Sequence, residues 1–245
     1  MTDRIDLICP DMLAGKRMLL IADINADISD IITCFIKAGC EAAVCYYSEV
    51  NGSYDLPDTV KVFFSDLSCD AGVDNMGKQV REQFGEPDIL VIYTGNYSAN
   101  PMNDINENRW MDNVELPLRV AYLSCRYFSA AMVDKGWGRI VLIGSVQAKT
   151  GGWNTGGDVG YSTLSMSLCG LARSVAVELA PSGITVNSVL PMLDIENIGH
   201  IRETVPLDVL PDSTDVAGAV LFLASERASF ITGYSLDINC GLYMD

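Results

Sequence analysis

The chain has 245 residues, 49% of them apolar, and a formal net charge of −16. That length and apolar fraction suffice for one α/β domain over residues 1–245 with a sizeable core. The negative charge argues against binding to nucleic acid or to an anionic membrane. Eight cysteines without C-x-x-C spacing and a single histidine, His200, predict neither a zinc site nor a disulfide framework. We expect a cytoplasmic protein, because no long uncharged apolar run is present and the N-terminal residues carry charges of both signs.

The first predicted strand, 18–22, is followed by an acidic turn. An α/β dinucleotide site requires glycines directly after this strand, because they let the backbone approach the pyrophosphate and aim the next helix at it. Here Asp23, Asp27 and Ser29 stand in the turn, with Asp30 close behind. The carboxylates would repel phosphate oxygens, so we predict that this turn does not bind a dinucleotide in the usual way. An alternative role for Asp27 or Ser29 is to cap the following helix.

The second predicted strand, 41–46, ends at Tyr46. Dinucleotide-binding folds place an acid there for the ribose hydroxyls, or a base for a 2′-phosphate, and a tyrosine does neither job well. A third strand, 60–65, precedes Asp66, which is a common residue in a turn after a strand. A helix over 70–84 and an apolar strand that ends before Gly95 follow.

The second half of the chain alternates helices and strands. An amphipathic helix over about 113–134 precedes a β-branched run that ends at Gly144-Ser145. Tyr161 opens a long helix over 160–180, and a strand over 184–189 stops before Pro191. A helix over 214–225 and a strand over 235–239 complete the pattern. This alternation predicts a Rossmann-like, doubly wound parallel sheet in a single domain.

These segments resemble the short-chain dehydrogenase/reductase (SDR) family over nearly the whole chain. In that family a Ser, a Tyr-x-x-x-Lys and an Asn perform acid–base chemistry beside a nicotinamide. The resemblance places Ser145 and Tyr161 in the first two of these roles, whereas the lysine position is Ser165 and the asparagine position is Pro117. It also matches several residues to coenzyme-contacting positions. The family's three phosphate-loop glycines fall on Asp23, Asp27 and Ser29, its adenine-contacting Asp falls on Asp66, and the glycine of its N-N-A-G motif falls on Gly95.

The joint loss of the lysine, the asparagine and the glycines favours a catalytically inactive subunit without a bound cofactor. By resemblance, such a chain would assemble with an active SDR paralogue and support it, as in heteromeric SDR enzymes that act on acyl-CoA thioesters. SDR subunits associate through two long helices, here about 113–134 and 160–180, and a homo-oligomer would use the same helices.

Three alternatives remain open. The chain could be a non-redox enzyme that uses Ser145 and Tyr161, a divergent NAD(P)-dependent oxidoreductase, or a small-molecule sensor that uses the vacated cleft. Tyr161 is alternatively an ordinary tyrosine at the start of a helix.

Overall fold

A computed structural model describes residues 9–24, 26–47, 56–93, 102–152, 158–192 and 205–244. Its strands form one seven-stranded sheet in the order β3-β2-β1-β4-β5-β6-β7, and every neighbouring pair is parallel. The strands are β1 (Arg17–Ala22), β2 (Glu41–Tyr46), β3 (Lys61–Phe64), β4 (Ile89–Tyr93), β5 (Gly138–Ile143), β6 (Ile184–Pro191) and β7 (Ser235–Ile238). The predicted Rossmann-like, doubly wound α/β fold is therefore confirmed.

The α-helices of the described residues connect these strands. They are α1 (Ser29–Lys37), α2 (Asp70–Gln83), α3 (Glu107–Trp110), α4 (Leu116–Lys135), α5 (Gln147–Thr150), α6 (Val159–Leu179) and α7 (Ser213–Ala224). Short 3-10 turns cover Met102–Asp104, Ala180–Ser182 and Glu226–Ala228.

Both faces of the sheet are covered. Alternate residues of β1 point to opposite sides, so that Met18 and Leu20 pack with α1 and α7, whereas Leu19 and Ile21 pack with α2, α4 and α6. Burial on both faces explains why the strands are continuous apolar runs and not alternating ones. The stretch Val159–Ser182 is also long and apolar enough to cross a membrane by length and composition alone. One face of this helix is nevertheless buried against the sheet, as in the core helix of a globular domain. That face carries Leu164, Leu168, Ala172 and Ala176.

A π-helical turn, Met111–Glu115, leads into α4. In it the N–H of Leu116 bonds to the carbonyl of Met111, five residues back. Pro117 follows in α4, and because the preceding turn is itself helical, its missing N–H falls inside a continuous helical stretch, next to the point where the hydrogen-bond spacing changes. The helix predicted over about 113–134 is thus a π turn followed by a regular helix that begins at Leu116.

The strand order reverses between β1 and β4. Ala22 pairs with Tyr93, and Tyr93 pairs with Ile143, so the carboxyl ends of β1, β4 and β5 lie side by side. The residues that follow these strands, Asp23 and Ser145 among them, share that edge. Ligands of open α/β sheets bind at this edge, at the point where the strand order reverses.

Candidate functional site

Ser145 lies directly beyond β5 and is held on both sides. The N–H of Gly144 donates to Val189 O over 2.9 Å, and the N–H of Val146 donates to Pro191 O over 3.0 Å. Ser145 is only 2% exposed, and its Oγ accepts the N–H of Gln147 over 3.3 Å. The hydroxyl therefore has a fixed position at the carboxyl edge of the sheet.

Tyr161 lies in the first turn of α6. Its backbone N–H donates to Asp158 Oδ1 over 3.1 Å, which makes Asp158 the N-cap of the helix. The Tyr161 side chain is half-buried and packs against the core on the α4 and α6 side of the sheet. The cap residue was not identified from the sequence, although an Asp three residues before a helical tyrosine is an ordinary capping signal.

Ser165 brings α6 against the end of β5. A Cβ added at Gly144 would lie 3.4 Å from both Cα and Cβ of Ser165, so the helix and the strand end are in close contact there. Ser165 is completely buried, and its Oγ has no hydrogen-bond partner among the described residues. The fold thus brings Ser165, one helical turn beyond Tyr161, against the strand end that precedes Ser145, but position 165 supplies a neutral hydroxyl and no ammonium.

Pro117 lies nearby, on the neighbouring helix. It is buried at the start of α4, and the preceding π turn packs against the start of α6. A Cβ added at Gly160 would lie 3.8 Å from Cγ2 of Val114, in that π turn. Pro117 is therefore close to the Tyr161 turn but offers no side-chain amide.

Gln147 is a site residue that the sequence reasoning missed. It is 3% exposed, and its backbone N–H is the group that donates to Ser145 Oγ. Its Oε1 is buried without a hydrogen-bond partner among the described residues. The available signal was a polar residue two positions after the serine.

Val146, the residue after Ser145, belongs to a small apolar cluster, and Lys149 nearby in the chain forms an ion pair. Lys149 Nζ is 2.7 Å from Asp237 Oδ2 and 5.2 Å from the ring centre of Tyr243. Both members of the pair are largely buried, so the contact is stronger than an exposed ion pair. The apolar cluster consists of Val146, Met192, Val205, Leu210, Cys240 and Leu242.

The β1–α1 turn is closed by its own carboxylate. Asp27 Oδ1 accepts the backbone N–H of Ser29 over 3.3 Å and the Ser29 hydroxyl over 2.7 Å. The N-cap of α1 is Ile28, which makes no side-chain cap, so the expectation that Asp27 or Ser29 is the N-cap is wrong by one position. The side chain of Asp30 accepts a hydrogen bond from the Ser213 hydroxyl, at the start of α7.

Tyr46 and Asp66, near the ends of β2 and β3, have contacts within the chain. Tyr46 is 3% exposed and stacks on Phe64 with ring centres 5.7 Å apart. Burial, together with the charge of Asp23, raises the pKa of the Tyr47 phenol. Asp66 Oδ1 accepts the N–H of Ser68 over 2.9 Å, and hydrogen bonds from Ser68 lower the pKa of the Asp66 carboxyl. Asp66 thus forms the ordinary turn after a strand, and Gly95 lies outside the described residues.

A dinucleotide does not fit the β1–α1 turn in the manner usual for this fold. Its pyrophosphate would meet the carboxylate of Asp27, and the first N–H of α1 already has an acceptor in that carboxylate. Among the residues that the structure describes, no cluster of three or more His, Cys, Asp or Glu side chains could hold a metal ion.

Comparison with known proteins defines the family. A family model described as enoyl-(acyl carrier protein) reductase matches residues 30–243. The 3-oxoacyl-[acyl-carrier-protein] reductase FabG of Escherichia coli is 34% identical over 184 residues, which cover 71% of this chain and 74% of the relative. FabG of Salmonella typhimurium is 32% identical over 208 residues, or 79% of this chain and 84% of the relative.

A solved structure agrees with these relatives. The crystal structure of a short-chain dehydrogenase/reductase from Burkholderia xenovorans superposes with a TM-score of 0.81 at 27% identity, covering 96% of this chain and 99% of that one. The chain belongs to the short-chain dehydrogenase/reductase family.

The hypothesis of a non-catalytic supporting subunit is therefore wrong. The chain matches proteins named as reductases over about three quarters of their length. The hypothesis rested on the loss of the lysine, the asparagine and the glycines. It gave too little weight to the retained serine and tyrosine and to the contact of α6 with the end of β5. The relatives favour the alternative of a divergent oxidoreductase.

Proposed function

We propose that the chain is an SDR oxidoreductase that interconverts a ketone and a hydroxyl group on an acyl thioester. The observation that carries this proposal is the 34% identity to a 3-oxoacyl-[acyl-carrier-protein] reductase over 184 residues. The family model carries a description of the same substrate class, an acyl group on a carrier protein. Retention of Ser145 and Tyr161 at the carboxyl end of β5 supports a carbonyl as the reacting group.

The chain's own residues supply a hydrogen bond and a proton. The Ser145 hydroxyl, fixed by the backbone of β5 and β6, is placed to donate to a substrate carbonyl oxygen. The Tyr161 phenol is the proton donor to that oxygen as it becomes a hydroxyl. Reduction also consumes a hydride, for which the co-reactant is a reduced nicotinamide coenzyme.

The residue at position 165 affects the pH dependence of the reaction. A phenol ordinarily ionises near pH 10, so at neutral pH it is protonated and can act as the acid that reduction needs. Ser165 carries no charge that would stabilise a phenolate. Oxidation of the alcohol, which needs the phenolate, should therefore accelerate from neutral to alkaline pH.

The surroundings of Ser145 suit an acyl chain. The partly exposed members of the apolar cluster, Leu210, Cys240 and Leu242, would contact methylene groups of such a chain.

The test is the reduction of acetoacetyl-CoA by NADH or NADPH, which is measured as the decrease in the absorbance of the reduced coenzyme. We expect turnover by the wild-type chain and a loss of about a hundredfold or more in Tyr161→Phe, the usual range for removing a general acid. Tyr234→Phe is the matched control, because Tyr234 is exposed at the amino end of β7, and it should keep the wild-type rate. Equal rates for wild type and Tyr161→Phe would contradict the assignment.

We further propose a cytoplasmic oligomer that associates through α4 and α6. Met166 and Val177 on α6 and Tyr122 and Val133 on α4 are exposed apolar side chains, and Gly170 on α6 permits close approach of another helix. A second copy of the chain and a related SDR chain would use the same surface. Light scattering of the purified chain distinguishes these two partners. An oligomer indicates that a second copy is the partner, whereas a monomer indicates that a related SDR chain is required.

A further inference from the structure

The N-terminus of α1 already holds an anion that belongs to the chain. Asp27 Oδ1 accepts both the backbone N–H and the hydroxyl of Ser29, the first residue of the helix. Free N–H groups at a helix start attract negative charge, and here a side-chain carboxylate meets that demand. In a Rossmann-like sheet the coenzyme's pyrophosphate occupies this same position, after β1 and against the start of α1.

The charged residues of the β1–α1 turn, Asp23, Asp27 and Asp30, are all carboxylates. Asp23 immediately follows β1, and its charge reaches far enough to act on the buried phenol of Tyr47. Asp30, one residue into α1, accepts a hydrogen bond from Ser213 and is anchored there. A phosphate approaching Asp27 would thus meet further carboxylates in the same turn.

By the family resemblance, dinucleotide-binding members carry glycines where this chain has Asp23, Asp27 and Ser29. The sheet and its helices keep the family fold, as the superposition over 96% of the chain shows. The turn therefore keeps its place in the fold, while carboxylates and a serine replace small, uncharged glycines.

We propose that Asp27 occupies from within the chain the place of a coenzyme phosphate, and that this carboxylate, with Asp23, limits the affinity of the protein for nicotinamide dinucleotides. The inference rests on the proposed function in taking such a dinucleotide as the ligand. A dinucleotide must then displace the Asp27 carboxylate from the Ser29 N–H and bind next to it.

The salt dependence of binding follows from the sign of these charges. Phosphate sites built on cations weaken as salt is added, because the attraction is screened. Here the interaction is repulsive, so screening should strengthen coenzyme binding. Because Asp27 is exposed, the effective dielectric constant at the turn is closer to that of water than to that of the interior, and two unit charges a few ångströms apart there change an affinity by about tenfold.

The experiment is a fluorescence titration of NADH against wild type, Asp27→Asn and Asp134→Asn at low and at moderate salt. Asp27→Asn removes the charge but keeps an oxygen that can accept from Ser29. Asp134→Asn makes the same change of net charge at the exposed far end of α4, near the amino ends of the strands. Asp23→Asn/Asp27→Asn is included in case the remaining carboxylate still dominates.

We expect about tenfold tighter binding by Asp27→Asn at low salt, tighter binding still by the double variant, and no change in Asp134→Asn. The wild-type affinity should rise with salt, and that of the double variant should not. The proposal is overturned if Asp27→Asn and the double variant bind no better than Asp134→Asn, or if salt weakens binding to the wild type. Failure of the proposed oxidoreductase function is a separate result, namely binding without reduction of acetoacetyl-CoA at saturating coenzyme.

Discussion

Replacing Ser165 by lysine tests how this site handles a proton. Ser165 is one helical turn beyond Tyr161, about 6 Å along the axis of α6. An ammonium at that distance interacts with a phenolate by about 3 kcal/mol at an effective dielectric constant of about 20. This corresponds to about two pH units in the ionisation of the phenol. In Ser165→Lys, oxidation of the alcohol should therefore reach its alkaline maximum about two pH units lower than in wild type.

The assay is the pH dependence of kcat/KM for oxidation of 3-hydroxybutyryl-CoA in wild type, Ser165→Lys and Ser165→Met. Methionine has a similar length but no charge, so it separates the filling of space from electrostatics. Ser165 is fully buried beside Gly144, and circular dichroism and thermal unfolding must first show that each variant is folded. In a Tyr161→Phe background the lysine should have no effect on the profile.

The reasoning is refuted if Ser165→Lys and Ser165→Met give the same pH profile while both are folded. It is also refuted if wild-type oxidation does not accelerate between neutral and alkaline pH, because the phenol would then already be ionised or would not be the base. At any one pH, kcat/KM for reduction and for oxidation should change by the same factor in each variant, because the equilibrium constant of the reaction fixes their ratio.

Two further predictions concern stability. A Cβ at Gly77 would lie 2.0 Å from Cε1 of Tyr127, so Gly77→Ala should disturb the contact of α2 with α4 and destabilise the protein by about 1–3 kcal/mol. Gly218 on α7 has open space around it, so Gly218→Ala should stabilise the protein by up to about 1 kcal/mol. Thermal unfolding compares them, and equal melting temperatures would contradict the packing. Hydrogen bonds from Trp137, first, and then from Ser229 lower the pKa of Glu226. The stability that Glu226 contributes is thus present above the ordinary carboxyl pKa of about 4.3 and is lost as pH falls through the lower folded pKa. The free energy of unfolding of Glu226→Gln should therefore depend less on pH in that acidic window. An unchanged pH dependence would contradict the assignment.

The sheet was predictable because its strands are buried on both faces. Continuous apolar runs such as 140–143 admit few other interpretations once turns and helices alternate with them. The bounds of β2, Glu41–Tyr46, were predicted as found, and α6 begins one residue earlier than predicted because Asp158 caps it. The π turn before Pro117 was not predictable, since periodicity does not distinguish a five-residue from a four-residue hydrogen-bond step.

The site was predictable only as a set of positions. Ser145, Tyr161 and Ser165 could be named from local motifs, but their meeting depends on the contact of α6 with the end of β5. The pairing of Lys149 with Asp237 joins residues 88 positions apart, for which the sequence holds no local signal. Gln147 was overlooked because its importance comes from burial beside Ser145 and not from its residue type.

The functional error has a physical origin as well. The joint absence of the lysine, the asparagine and the glycines was equated with the absence of catalysis. A protonated phenol can still donate a proton, which is the step that reduction needs. The loss of the cation changes the pH dependence of the reaction, but it does not remove the proton donor.

The most direct measurement is transfer of deuterium to acetoacetyl-CoA from NADH or NADPH deuterated at the nicotinamide ring, with the product analysed by mass spectrometry. The account predicts 3-hydroxybutyryl-CoA with deuterium at the former ketone carbon, formed by wild type and formed far more slowly by Tyr161→Phe. Folded wild-type protein that gives no deuterated product with either coenzyme at saturating concentration would contradict the assignment as an oxidoreductase of acyl thioesters.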